Sequence, residues 1–142
     1  MPDLFSCLAP GGGWYFSLNY AGETLFRPPA PQDDDILTAY TADMDKRFPD
    51  LAWQPSQTGQ RLGAWLVSQG HRLLAEGDSD WRLRARDGES THLFIENILA
   101  TIETALAGMP GLAEWLIIRR QQLAAAELMF RATNRDCFGL LR

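Results

Sequence analysis

Apolar residues recur at intervals of three and four through residues 91–131, the longest such pattern in the chain, and predict two helices. The first covers residues 90–107, and its apolar stripe consists of Ile95, Ile98, Leu99, Ile102, Leu106 and Met109. The second covers residues 110–131. Because the connection over residues 108–111 is so short, we expect the two helices to be antiparallel neighbours.

The second of these helices carries a stripe at helical spacing, formed by Leu112, Trp115, Leu116, Arg119, Leu123, Ala126 and Phe130. Further apolar residues, among them Ile117 and Ile118, lie off this stripe. A helix that is apolar on more than one side is usually covered on more than one side. The second side is covered either by another part of the same subunit or by a second copy of the chain, and the pattern leaves both open.

An alternation of apolar and polar residues near the N-terminus predicts a strand. Its apolar members are Trp14, Phe16, Leu18 and Tyr20. The pair Ala21-Gly22 supplies a turn, and residues 24–27 run back along the first strand. The pattern therefore predicts a β-hairpin over residues 14–27.

A second alternation covers residues 81–86 and predicts a strand with an apolar inner face. Its outer face carries three guanidinium groups, those of Arg82, Arg84 and Arg86. The segment 91–95 is too short for its periodicity to distinguish a helix from a strand. It could therefore be the return strand of a hairpin, with the following helix starting at Glu96. Both interpretations of residues 91–95 stay open.

Two more helices are predicted in the first half of the chain. The three aspartates at 33–35 open one over residues 33–47, since acidic side chains in a first turn interact favourably with the helix dipole. Ser56 caps another over residues 56–75. Residues 131–142 are interpreted as a tail.

These elements predict a single α+β domain over residues 1–142. In this fold a small antiparallel sheet, made of the N-terminal β-hairpin and the arginine-bearing strand, packs against about four helices. The last two helices form a C-terminal antiparallel helical hairpin.

Composition limits the classes of protein to which the chain can belong. No window of 18 consecutive apolar residues occurs, so a membrane span is not expected. The first basic residue is Arg27, which argues against a secretory signal. Only two cysteines are present, Cys7 and Cys137, and they favour a cytoplasmic location with free thiols.

Charge is distributed unevenly within a net charge of −5. Residues 1–80 carry 11 acidic and 5 basic side chains, whereas residues 81–142 carry 7 and 8. A general nucleic-acid binder needs a positive field, which the molecule as a whole does not supply. We therefore expect a partner other than nucleic acid, with nucleic acid as the alternative.

Two charged surfaces are candidates for partner binding. The acidic one includes Asp43, Asp45 and Asp50 and would face a basic partner. The basic one consists of the three arginines at 82, 84 and 86, which would face an acidic partner or the acidic helix of a second copy. The alternatives are a solvated acidic face and an edge strand whose charge discourages pairing with other strands.

No nucleotide-binding or hydrolase motif is present, and the histidines and cysteines do not have the spacing of a zinc site. We therefore expect neither a cofactor nor a metal. The leading hypothesis is a small cytosolic, non-catalytic protein-binding module of the inhibitor, immunity, adaptor or chaperone type, with another protein or a second copy as partner. The alternatives are an anion or nucleic-acid binder that uses the arginine strand, and a small enzyme that uses His92 with a nearby carboxylate.

Overall fold

A computed structural model describes residue 5 and residues 9–47 and 53–141 of the chain. In this part of the chain four helices pack with a four-stranded antiparallel sheet, as expected for an α+β fold. The strands are β1 (Gly13–Arg27), β2 (Arg72–Asp78), β3 (Trp81–Arg84) and β4 (Met129–Leu140). The α-helices are α1 (Asp33–Lys46), α2 (Thr58–Ser68), α3 (Glu89–Ala105) and α4 (Leu112–Ala124).

Strand β4 lies at the centre of the sheet and pairs antiparallel with the three other strands. The prediction of a tail over residues 131–142 is therefore wrong for residues 131–140. Buried positions do alternate at the start of β4, at Phe130, Ala132 and Asn134. Arg131 and Thr133 lie between them, on the other face of the sheet, and the irregular spacing that follows hid this pattern in the sequence.

Strand β1 is one long strand, so the predicted hairpin over residues 14–27 is wrong. Both of its ends pair with β4, from Gly13 opposite Leu140 to Arg27 opposite Met129. The extra residues of β1 are taken up by two register shifts, and Gly22 lies in the second of them with a φ of +103°. The glycine therefore accommodates a β-bulge and does not form the predicted turn, and a positive φ is common in both.

Helix boundaries differ from prediction where a strand follows. Helix α2 ends at Ser68, Gly70 takes a φ of +91°, and the chain continues as β2, although residues up to 75 were predicted to be helical. Helix α4 ends at Ala124, and the strand that starts at Met129 replaces the rest of the predicted helix. The helical pair is consequently followed by a strand, and it is not C-terminal.

Helix α1 and strand β3 form where the pattern places them, although β3 ends at Arg84 and a 3-10 turn, Ala85–Asp87, takes its last two predicted residues. Helix α3 starts at Glu89. The return strand proposed for residues 91–95 is therefore wrong, and the helical interpretation is right.

The core lies between the helices and one face of the sheet. Its larger cluster joins residues of α3 and α4 to Phe26 and Phe130, and a smaller one joins Leu66 of α2 to Trp14 and Cys137. The buried side of α4 consists of Leu112, Trp115, Leu116, Arg119 and Leu123. Ile117 is 58% exposed and Ile118 is half-buried, so the described part of the subunit covers the second apolar side of α4 only in part. No helix among these residues is both long enough and apolar enough to cross a membrane.

Candidate functional site

The register of the sheet brings basic side chains from three strands onto the face that the helices leave open. Arg27, Met129 and Arg84 lie side by side on β1, β4 and β3. Directly paired residues of antiparallel strands project to the same face. The next row along, Phe26, Phe130 and Leu83, belongs to the core cluster. The arginine row therefore projects to the opposite, open face.

The three arginines predicted from the sequence are all exposed, and they differ in their partners. The side chain of Arg82 is 70% exposed and lies 3.5 Å from a carboxylate oxygen of Asp80. Arg84, at the end of β3, and Arg86, in the following turn, form no ion pair with any residue that the structure describes. Two of the three guanidinium groups are thus free to bind something else.

Two more arginines reach this face, and sequence reasoning missed both. Arg131 of β4 lies in the row of Leu25 and Arg82, and its guanidinium is 2.7 Å from Asp80 and 3.4 Å from Glu23. Arg27 is exposed, and no ion pair links it to the described residues. The pairing of strands far apart in sequence brings these residues beside β3, and no local pattern reports such pairing.

Asp80 pairs with two of these arginines, Arg82 and Arg131. Hydrogen bonds from the guanidinium of Arg131 hold the pKa of the Asp80 carboxyl below its ordinary value, and the same contact raises the pKa of Arg131. The pair therefore stays charged and mutually neutralised around neutral pH. Of the arginines at this end of the sheet, Arg27, Arg84 and Arg86 are the ones without an ion pair in the described chain.

A cavity of about 440 Å³ opens beside these free arginines. Its lining consists of Pro28, Arg84, Arg86, Ala126, Glu127 and Met129. We call Arg27, Arg84 and Arg86, together with Pro28 and Met129, the cationic corner. It combines planar guanidinium donors, suited to two-point contacts with carboxylates or phosphates, with small apolar side chains, and Glu127 is the one acid in the lining of its cavity.

The acidic residues predicted for partner binding are placed differently. Asp43 pairs with Arg47 at 2.6 Å, and Asp45 accepts hydrogen bonds from the backbone amide and hydroxyl of Ser56 at 2.8 and 3.0 Å. Asp50 lies outside the described residues. Asp45 thus has a structural role in joining α1 to the segment before α2, and Asp43 has its charge compensated at the surface.

Acidic side chains nevertheless line an open groove of about 970 Å³ between β1 and α1. We call it the acidic groove, and its charged lining consists of Glu23, Arg27, Asp33, Asp34, Asp35 and Asp45. Asp34 and Asp35 are exposed and form no ion pair with the described residues. They belong to the first turn of α1, where the sequence predicted acids that favour helix formation.

A buried ion pair fixes the segment that separates the groove from the corner. Arg119 of α4 is fully buried and binds the carboxylate of Asp33, and it also donates to the Pro28 carbonyl at 2.7 Å. Asp33 further accepts hydrogen bonds from the Trp115 indole at 2.7 Å and the Ala30 amide at 2.9 Å. This cluster holds the chain between β1 and α1 in one conformation.

The stability of the protein should depend on pH through the Asp33 carboxyl of this cluster. Burial raises the pKa of the Asp33 carboxyl, but hydrogen bonds from Arg119, Ala30 and Trp115 outweigh burial and hold it below its ordinary value. Its contribution to stability is therefore complete above the unfolded pKa of about 3.9 and is lost as the pH falls through the lower folded value.

We expect Asp33→Asn to reduce the free energy of unfolding most near neutral pH. The difference from the unchanged protein should shrink below about pH 4. Urea unfolding at a series of pH values measures it, with Asp34→Asn as the control for removing a charge from the same turn. A difference that is the same at all pH values would contradict this role of Asp33.

The groups considered for catalysis do not converge in the described residues. His92 lies half-buried in the first turns of α3 and has no hydrogen bond to a described carboxylate. Burial, followed by the nearby charges of Glu76 and Asp136, raises the pKa of the Cys137 thiol, which is opposite to the shift that activates a thiolate. The described residues also contain no group of three or more histidine, cysteine, aspartate or glutamate side chains placed to hold a metal ion.

No family model matches the chain, and no curated protein matches it in sequence. The features that bear on function are therefore those of the molecule itself: the cationic corner, the acidic groove and the fixed segment between them.

Proposed function

We propose that this protein is a small, non-catalytic protein-binding module whose cationic corner receives an acidic surface of a partner protein. The observation that carries the proposal is the set of three exposed guanidinium groups, at Arg27, Arg84 and Arg86, that have no ion pair within the described chain. Arginine favours planar, two-point contacts with carboxylates, so an acidic protein surface matches the chemistry of the corner.

Apolar contacts supply part of the binding energy in this proposal. Met129 lies between Arg27 and Arg84, and Pro28 lines the adjacent cavity. Methionine adapts to irregular apolar surfaces. Affinity then depends on these apolar contacts, whereas the arginines set orientation and association rate.

A protein partner suits the surroundings of the corner better than a nucleic acid does. The acidic groove lies directly beside it, with Asp34 and Asp35 exposed. A nucleic acid carries closely spaced phosphates along its whole length and would be repelled where it extends over the groove. An acidic patch on a folded protein can stay within the corner.

A cytoplasmic location belongs to the same proposal. The chain contains two cysteines, of which Cys137 is a buried, free thiol. Structural thiols of this kind suit a reducing compartment.

Binding of a simple acidic probe tests the proposal. A fluorescently labelled peptide of alternating glutamate and leucine should bind the protein, measured by fluorescence anisotropy at about 0.1 M salt. The triple variant Arg27→Ser, Arg84→Ser, Arg86→Ser should raise the dissociation constant about tenfold or more, because each lost charge contact contributes up to about 1 kcal/mol.

The control is the variant Arg47→Ser, Arg61→Ser, Arg72→Ser, which removes the same charge from exposed residues elsewhere. It should bind the peptide as the unchanged protein does. Equal losses in the two variants, or no binding by the unchanged protein in monomeric form, would refute the proposal. Binding of labelled DNA in place of the peptide, lost in the corner variant, would instead favour an anion or nucleic-acid binder.

A further inference from the structure

We propose that the acidic partner is a second copy of this chain, in a two-fold dimer in which each cationic corner receives the other copy's acidic groove. The inference rests on the proposed function, since it names the partner of the same site.

The free charges of the two surfaces are complementary. Three acids of the groove have partners inside the subunit: Asp33 binds Arg119, Asp45 binds Ser56, and Glu23 lies 3.4 Å from Arg131. Only Asp34 and Asp35 remain unpaired among the groove acids of the described chain, and both are exposed. The groove thus offers carboxylates on adjacent residues, and the corner offers the guanidiniums that such carboxylates bind.

The two surfaces also adjoin each other, as a self-complementary pair requires. Arg27 lines the acidic groove, and the next residue, Pro28, lines the cavity of the corner. A two-fold axis along their boundary places the positive side of one copy on the negative side of the other, and it does so twice. A closed dimer of this kind uses the same patch on both copies.

In the described chain no ion pair joins the arginines of the corner to Asp34 or Asp35, and the backbone between the two surfaces is held in place. Arg119 binds the Pro28 carbonyl, and Asp33 binds the Ala30 amide. Pro28, Pro29 and Pro31 further restrict the backbone. The unpaired charges are therefore presented to another molecule.

Sedimentation velocity over a range of protein concentrations tests the dimer. The unchanged protein should dimerise at about 0.1 M salt and dissociate at about 1 M, where charges are screened within about 3 Å. A corner variant, Arg84→Glu with Arg86→Glu, and a groove variant, Asp34→Arg with Asp35→Arg, should each weaken dimerisation at least tenfold. An equimolar mixture of the two should recover it, because every reversed charge then meets its opposite.

Two further variants control for folding and for total charge. Arginines in the first turn oppose the helix dipole, so Asp34→Asn with Asp35→Asn repeats the groove test with less strain on α1. Arg61→Glu with Arg72→Glu makes the same charge change as the corner variant on other exposed residues and should leave the dimer intact.

The outcomes separate this inference from the function on which it rests. A protein that is monomeric at all concentrations but binds the acidic peptide overturns the dimer and leaves the proposed function standing. A dimer that persists in both reversed variants, or a mixture that does not assemble, also overturns the inference. Absence of both dimer and peptide binding removes both proposals.

Discussion

Replacing Arg119 with alanine is expected to lower the free energy of unfolding by about 3 kcal/mol or more. The substitution leaves the mostly buried Asp33 carboxylate without its cationic partner, and it removes the hydrogen bond to the Pro28 carbonyl. It also removes a guanidinium stacked 5.2 Å from the ring centre of Phe26 and 5.4 Å from that of Trp115. Breaking a buried pair from one side is costly because the remaining charge stays desolvated.

The neighbouring residue supplies the control for this prediction. Arg120 pairs with Glu96 at 3.0 Å and Glu103 at 2.7 Å, but all three side chains are more than a third exposed. Exposed ion pairs of this kind contribute about 0–1 kcal/mol, so Arg120→Ala should change stability little. Urea unfolding followed by circular dichroism measures both variants. Similar losses in the two would show that the Arg119 cluster does not hold the segment between β1 and α1.

Gly139→Ala is expected to lower the free energy of unfolding by about 3 kcal/mol. The cause here is steric overlap, whereas Arg119→Ala acts by removing contacts. A methyl group at this position of β4 would overlap the Trp14 ring and the Arg72 carbonyl oxygen. The second of these is backbone of a paired strand, which cannot move aside without breaking the sheet. We therefore expect a lower melting temperature and a smaller unfolding free energy.

Gly77→Ala is the matched control in the adjacent strand. A methyl group there would meet no atom within 4 Å, and the residue does not have a positive φ. Its effect should stay within about 0.5 kcal/mol. Equal behaviour of the two variants in thermal and urea unfolding would mean that β4 does not pack against Trp14 as described.

Helices were the elements that the sequence predicted best. The aspartates at 33–35 mark the start of α1, and the spacing of Ile95, Leu99 and Ile102 marks the buried side of α3. Both signals are local, because residues three and four apart share a helical face regardless of the rest of the fold. The predicted ends of α2 and α4 lie several residues beyond the observed ends, because apolar residues of β2 and β4 continue the helical spacing by coincidence.

Strand pairing was the information that the sequence lacked. The alternation at residues 81–86 indicated β3 and its outward arginines, yet nothing near them in the chain indicates that Arg27 lies in the same row. That row exists because β4 passes between β1 and β3. For the same reason β1 was predicted to be a hairpin and β4 a tail.

By itself the sequence determined the class of fold, the positions of α1 and α3, and the outward arginines of β3, because each follows from contacts between residues a few positions apart. Only the tertiary structure decided which strand is central, which residues stand beside Arg84, and which charges are neutralised. The physical reason is that strand partners and ion pairs are set by distances in space, as between Arg119 and Asp33, and the order of residues along the chain does not contain those distances.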